Sequence, residues 1–220
     1  MKDLFGKAIL DYQTNNSPED LVTETSISEA DEMPVSYLFR TYNEMPELEQ
    51  KALQLAKGSV LDVGCGAGSH SLTLQNDRNL EVTSIDISPN AIQTCTLRGL
   101  KNAKVQDIMA LENEKYDTIL LLMNGIGIAK KKSNLLSFLK NAGEKLTKGG
   151  QIICDSSDVK YLYEDEDGSY WMDLNAEYYG NFKFQMHYKK ISGPEFPWLY
   201  VDYDTLHDIA SQAGFKCQRV

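Results

Sequence analysis

The stretch from Val60 to His70, VLDVGCGAGSH, constrains this chain more than any other. An apolar run leads into glycine at alternate positions (Gly64, Gly66 and Gly68), and SHSLTLQN (69–76) then reads as a helix. Glycine carries an entropic cost, so three in five residues imply a backbone that turns sharply or lets something come very close. A buried strand turning through glycines into a helix is the opening unit of a parallel sheet. In such sheets ligands bind beyond the carboxyl ends of the strands, where the strand order reverses. The N-terminus of the helix there offers unpaired N–H groups to ligand oxygens.

The remaining sequence repeats the strand–helix rhythm. EVTSID (81–86) predicts a second strand, followed by a helix with Ser88 as N-cap, Pro89 in its first turn and Gly99 just past its end. AKVQD (103–107) predicts a third strand. YDTILLLM (116–123) is the most apolar and belongs at the centre of the sheet, buried on both faces. Ser133 caps a helix reaching about Glu144, and GGQIICD (149–155) predicts a fifth strand. Upstream, residues 3–13 form a short helix with Leu4, Ala8 and Ile9 on one face, and Pro46 starts a helix ended by Gly58. The fold class is therefore α/β, a doubly wound, mostly parallel sheet. It occupies residues 58–220, with 1–57 as an N-terminal helical segment and cover, in one compact domain.

Two stretches depart from the rhythm. Gln13 to Tyr37 holds six acids and neither Lys nor Arg, and reads as a mobile surface segment. Residues 156–203 hold thirteen of the twenty-one aromatics, an acidic run EDEDG (164–168) and a strand-like FKFQMHYKKI (182–191), an aromatic-rich insertion after strand five. DYDTLHDIASQAG (202–214) then predicts a helix closed by Gly214, and FKCQRV the start of a last strand.

A formal net charge of -10 argues against a duplex nucleic-acid partner, which requires a basic footprint. The four cysteines have no metal-ligand spacing with the three histidines, so they read as reduced thiols in a cytoplasmic protein and no metal is expected. MKDLFGKAILDYQ interrupts its apolar residues with charges and is no signal peptide. Ile119 to Met123 is too short to cross a bilayer.

A dinucleotide loop reads GxGxxG/A; here Ser69 stands at its last position, and Asp62 would repel a pyrophosphate. VLDVGCGAGSH instead closely resembles motif I of class I S-adenosylmethionine-dependent methyltransferases, which have a Rossmann-like sheet. VTSIDISPNAI (82–92), VQDIMAL (105–111), YDTILLLMNGIGI (116–128) and LTKGGQIICD (146–155) resemble the family's later motifs in order, and TLHDIASQAGFKCQRV its late helix and strand. The resemblance covers about residues 45–155 and 202–220. It implies S-adenosylmethionine in the loop made by Gly64, Cys65, Gly66 and Gly68, with Asp62 just before it. It places Asp86 on the ribose hydroxyls and Ile87 against the adenine, with Asp107 near the adenine amino group and Ile108 on the ring. Met123 and Asn124, ending strand four, complete the cofactor set. The family normally adds an antiparallel seventh strand, so residues 182–191 either supply that strand or the form is a shortened one.

The acceptor is read at the strand ends and in the insertion. MNGIG at the end of strand four lacks the Asn/Asp-Pro-Pro-aromatic motif of adenine and glutamine enzymes. No Pro-Cys pair serves a covalent cytosine mechanism, and Cys154 belongs to no arsenic-methylating cysteine set. Asn124 and Asp155 end strands four and five, but two oxygens are too few for a metal site. Tyr161, Tyr163, Tyr170, Trp171, Tyr178 and Tyr179 fit a partly wet pocket for an amine or aromatic acceptor. The candidate catalytic residues are Asn124, His187 and Tyr163. A lone histidine such as His187 is more often structural, His70 reads as packing or hydrogen bonding, and Lys130 to Lys132 as a solvated loop. The expected activity is methyl transfer to a small soluble acceptor, with oligomeric state open. A nicotinamide-dependent oxidoreductase and a non-catalytic cofactor-binding module are the alternatives.

Overall fold

The computed structural model describes residues 3–165, 167–170 and 176–220. In chain order its elements are α1 (Leu4–Gln13), β1 (Leu21–Thr25), β2 (Asp31–Met33), α2 (Glu47–Leu55), β3 (Ser59–Val63), α3 (Ser69–Asn76), β4 (Glu81–Asp86) and α4 (Pro89–Leu97). They continue with β5 (Ala103–Val105), β6 (Tyr116–Leu121), α5 (Lys132–Gly143), β7 (Leu146–Cys154), β8 (Asn181–Tyr188), β9 (Ile191–Ser192), β10 (Phe196–Leu199) and α6 (Tyr203–Gln212).

The parallel sheet has the order β5-β4-β3-β6-β7. Its central strands are apolar on both faces because helices cover both. Leu61, Ile119 and Leu121 pack with Phe138 and Leu139 of α5 and Leu206 of α6. Their chain neighbours Val60 and Leu120 point the other way, against Leu53 of α2 and Leu74 of α3. The order reverses between β3 and β6, which opens the cleft at their carboxyl ends. The Ser88, Pro89 and Gly99 punctuation of α4 is as expected: Ser88 Oγ accepts from the Ala91 N–H at 2.9 Å, and Gly99 sits at φ +94°.

The stretch expected to be a mobile surface segment is instead part of a second, antiparallel sheet, ordered β10-β8-β1-β2, with β9 added to β8. Leu21 faces Tyr188 and Thr25 faces Phe184 across β1–β8. Residues 182–191 therefore join the N-terminal segment rather than the parallel sheet. The α1 helix joins this sheet to the rest. Leu4 and Ala8 pack with Leu21, Val35 and Tyr188, while Ile9 packs with Leu38 and Ala67 beside the glycine turn. Buried Asp11 of α1 accepts from Tyr188 Oη (3.0 Å), Lys189 Nζ (3.1 Å) and Lys7. Asp3 caps α1 through the Gly6 N–H, and its other oxygen accepts from Ser88 Oγ (2.6 Å) and Asn90 Nδ2 (2.9 Å), tying α1 to the start of α4.

Two further expectations are corrected. Ser133 is not the cap of α5, whose N-cap is Lys131, two residues earlier. Residues 215–220 form no strand. The Phe215 N–H returns to the Ala210 carbonyl at the end of α6, and its ring lies against Gly143 of α5, so the segment follows the helices instead of the sheet edge.

Candidate active site

The turn between β3 and α3 is built around its glycines. Gly68 takes φ +80°, and a Cβ there would stand 2.7 Å from Leu100 Cδ1 and 2.9 Å from Cys95 Sγ, so it serves helix packing. Gly66, at φ +53°, has room: a Cβ would meet only Phe5 (3.6 Å) and Ile9 (4.0 Å) of α1. Gly66 is buried beneath α1, whereas Gly64 (φ +71°) is exposed, and a Cβ there would meet only Ile128 Cδ1 at 3.5 Å, so its bare backbone is the one left open. Asp62 lies beneath the turn, 3% exposed, and accepts from Ser71 Oγ at 2.6 Å, which in turn accepts from Ser84 Oγ. Burial pushes its carboxyl up, opposed by His70 and Ser71. Asp62 thus anchors α3 from below. Cys65 stands 3.7 Å from Cys95, sulfur to sulfur, and that contact together with burial holds its thiol far above the usual range.

Asp86 closes β4. Its Oδ2 accepts from the Gly66 N–H (3.0 Å) and its Oδ1 from the Ser88 N–H (2.8 Å). Burial pushes this carboxyl up, the two N–H groups pull it down, and the charges of Asp3 and Asp62 push it up again. Each oxygen keeps a lone pair for a further donor. Beside it Ile87 is 71% exposed, an aliphatic surface with no protein cover. Ile108 is buried, and Asp107 is exposed and caps its own turn through the Met109 N–H.

At the end of β6, Met123 (φ +55°) and Asn124 (φ +57°) both take the left-handed conformation, a strained pair of the kind found at functional sites. The Asn124 N–H donates to Asp155 Oδ2 at 2.7 Å, and Asn124 Nδ2 donates to the Leu199 carbonyl at 3.3 Å. Next to them Arg40 Nη2 reaches Met123 Sδ (3.5 Å) and both oxygens of Glu49 (3.1 and 3.0 Å), and Glu49 meets His70 Nε2 at 2.6 Å. Among the described residues, three buried side-chain atoms have no partner: Arg40 Nη1, Asn124 Oδ1 and Asp155 Oδ1. All three belong to this one cluster. Buried polar atoms are almost always paired in folded proteins, so such a group marks a place for a ligand.

One face of the second sheet turns aromatic toward this cluster. Phe182, Phe184, Phe196, Trp198 and Tyr200 form a continuous series with ring centroids 5.2–6.4 Å apart. Trp198 lies on Gly127, where a Cβ would stand 2.1 Å from Nε1. Burial, with the charges of Tyr161 and Asp155, raises the Tyr200 hydroxyl, whose residue directly follows the Leu199 carbonyl that accepts from Asn124. His187 sits on the opposite face of β8, paired with Ser192 Oγ (2.9 Å) and Glu24 (3.3 Å), so the strand alternation carries it away from the site. Tyr163 donates its hydroxyl to the Tyr179 carbonyl at 2.6 Å and is likewise not brought to the cluster. Tyr178 and Tyr179 both donate to Asp202. Tyr161 and Tyr170 are exposed, as are Glu164 and Asp167 of the acidic run, while Trp171 lies outside the described residues.

Arg40 and Glu49 were not singled out from the sequence. A signal for Arg40 is present, since it is the first basic residue after Lys7. Buried Glu49, on the inner face of α2, has no comparable mark.

A sheet in this order, a glycine turn after its first strand and an acid closing the second define a class I enzyme that binds S-adenosylmethionine. A family model described as a methyltransferase domain matches residues 55–200. The crystal structure of an S-adenosylmethionine-dependent methyltransferase from Bacteroides fragilis, in complex with S-adenosyl-L-homocysteine, is 42% identical with a TM-score of 0.89, covering 98% of this chain and 87% of that one. CcbJ methyltransferase from Streptomyces caelestis (17% identity, TM-score 0.56, coverage 79% and 83%) and Streptomyces venezuelae DesVI (14%, 0.56, 82% and 84%) share the fold. No protein of curated function matches. The chain belongs to the methyltransferase-domain family: it is an S-adenosylmethionine-dependent methyltransferase. Among the described residues no helix is long and apolar enough to cross a membrane.

Proposed function

We propose that the methyl group goes to a small soluble acceptor, held between the Asn124–Asp155 pair and the aromatic face of the second sheet. The observation that carries this reading is the group of unpartnered buried atoms, Arg40 Nη1, Asn124 Oδ1 and Asp155 Oδ1, at the carboxyl ends of β6 and β7. Trp198 on Gly127 and the Asn124–Leu199 bond pin the second sheet to that edge, and an edge held closed in this way favours a small molecule over a polymer. The net charge of -10 fits an acceptor other than nucleic acid, and the scattered cysteines fit the cytoplasm.

The residues present fit the cofactor. The exposed backbone at Gly64 gives close approach, Asp86 keeps lone pairs for the ribose hydroxyls, and exposed Ile87 offers a surface to the adenine. Gly64, Cys65 and Gly68 shape the turn. Asp62 holds it from below, Asp107 and Ile108 border the adenine side, and Met123 and Asn124 border the methionyl end. Arg40 Nη1 offers a buried donor to an anionic group there. When bound, S-adenosylmethionine supplies an electrophilic methyl on a positively charged sulfur. The protein's own part is to hold the acceptor in line and to accept its proton.

The test is incubation with methyl-labelled S-adenosylmethionine and either a low-mass filtrate or the macromolecular fraction of a bacterial extract. Label is expected in low-mass products. Label confined to protein or nucleic acid overturns the reading.

A further inference from the structure

Two of the three unpartnered atoms, Asn124 Oδ1 and Asp155 Oδ1, are hydrogen-bond acceptors. Asn124 is 8% exposed, and its amide nitrogen is committed to the Leu199 carbonyl, which fixes Oδ1 as the acceptor end. The second oxygen of Asp155 is already used by the Asn124 N–H, so the two free oxygens belong to one bonded pair. A hydroxyl brings one hydrogen to such a pair; an ammonium brings two or three. The strand tied to this pair through the Leu199 carbonyl is aromatic, with Trp198 before it and Tyr200 after it, the latter stacked on Phe184 (6.0 Å), and aromatic faces near a carboxylate attract cations.

We infer that the methyl acceptor is a primary or secondary amine, taken up as its ammonium form with the nitrogen between Asn124 Oδ1 and Asp155 Oδ1. This rests on the small-acceptor reading and narrows it. Asp155 is a suitable proton acceptor because burial pushes its carboxyl up, against the pull of the Asn124 N–H; Glu49 and Tyr200 are the acidic groups of its surroundings, and Arg40 and His70 the basic ones, both engaged by Glu49. One N–H proton passes to Asp155 Oδ1, which frees a lone pair on nitrogen. That pair forms the new N–C bond as the methyl's bond to sulfur breaks. Its electrons stay on the sulfur, which becomes a neutral thioether. The product leaves as a methylated ammonium, and the Asp155 proton passes to solvent.

The protein saturated with S-adenosylhomocysteine is titrated calorimetrically at neutral pH with benzylamine and with benzyl alcohol, which share ring and reach. Benzylamine is expected to bind roughly tenfold more tightly or better, the scale of hydrogen bonds to a charged group. Asp155→Asn, likewise saturated with S-adenosylhomocysteine, should bring the two probes to within about twofold. Equal binding of the two probes to the wild type, or a preference that survives in Asp155→Asn, overturns the amine assignment and leaves the small-acceptor reading standing. If neither probe binds the wild type, both fall. The wild-type comparison stands even if the variant does not fold.

Discussion

Replacing Asp86 by Ala tests the cofactor site most directly. The carboxylate does two jobs, holding the glycine turn through the Gly66 and Ser88 N–H groups (3.0 and 2.8 Å) and keeping lone pairs for the ribose hydroxyls. A hydrogen bond to a charged group contributes about 1.5–3 kcal/mol, so losing the ribose contacts should weaken S-adenosylhomocysteine binding about 10- to 100-fold. The unliganded protein should lose less than two such bonds imply. Asp86 is buried beside Asp3 and Asp62, whose charges disfavour its own, and removing it relieves that repulsion. We expect about 1–2 kcal/mol, or roughly 2–8 °C in Tm for a chain of this size. Asp86→Asn should bind no better than Ala, because its amide nitrogen turns a donor toward either the Gly66 or the Ser88 N–H. Calorimetry gives the affinity, and melting with and without ligand separates binding from folding. A folded Asp86→Ala protein with unchanged affinity would refute the assignment, and so would full rescue by Asn.

Gly127→Ala should strain the contact between the two sheets, because its Cβ falls 2.1 Å from Trp198 Nε1. The expected cost is about 1–3 kcal/mol, with faster hydrogen exchange in residues 181–199 and unchanged exchange in 116–121; unaltered exchange in the former would contradict the packing described. Asp202 gives a pH signature. Burial pushes its carboxyl up, but the Thr205 N–H and the Tyr178 and Tyr179 hydroxyls outweigh it and hold it at about 2. A depressed acid contributes stability above its unfolded value near 3.8, and that stability fades as pH falls toward 2. Allowing for solvent screening, Asp202→Ala should cost about 1–2 kcal/mol near neutrality, with the gap to wild type narrowing below about pH 4. Urea titrations across that range check it, and a constant gap would show that Asp202 acts without its charge.

The parallel sheet was legible because every strand in it is followed by local punctuation. Val60 and Leu61 are apolar on both faces, and Ser88, Pro89 and Gly99 mark the ends of α4 in the sequence itself. The second sheet was not. LVTET and DEM are short and half polar, and the strand that joins their hairpin to the sheet, β8, lies more than 150 residues beyond LVTET, so no local pattern specifies the pairing. The same distinction divides the site. The glycine turn and Asp86 are neighbours of strand ends and could be found, whereas Arg40, Glu49 and His70 meet only because α2 packs beside α3. For His187 the information was present: it alternates with Phe182, Phe184 and Met186, and the aromatic face of β8 necessarily turns it outward. Ser133 failed as a cap because Lys131 already takes the extended conformation from which α5 begins.

The pairing of Leu21 with Tyr188 has a consequence for how the molecule assembles. In an unstructured chain, closing that loop costs about 2 kcal/mol more than closing the β1–β2 hairpin, in which Leu21 pairs with Met33. Once the parallel sheet has formed, the intervening chain is compact and most of that difference disappears, so the sheet that seats the cofactor should precede the one that covers it. During synthesis the β1–β2 hairpin emerges long before β8 and waits with the β8 edge of β1 unpaired. Its surroundings carry six acids and no basic residue between Gln13 and Tyr37, and that repulsive charge discourages strand-to-strand association with other nascent chains. The acidity of the segment is then of use to the ribosome-bound chain, before any acceptor is met.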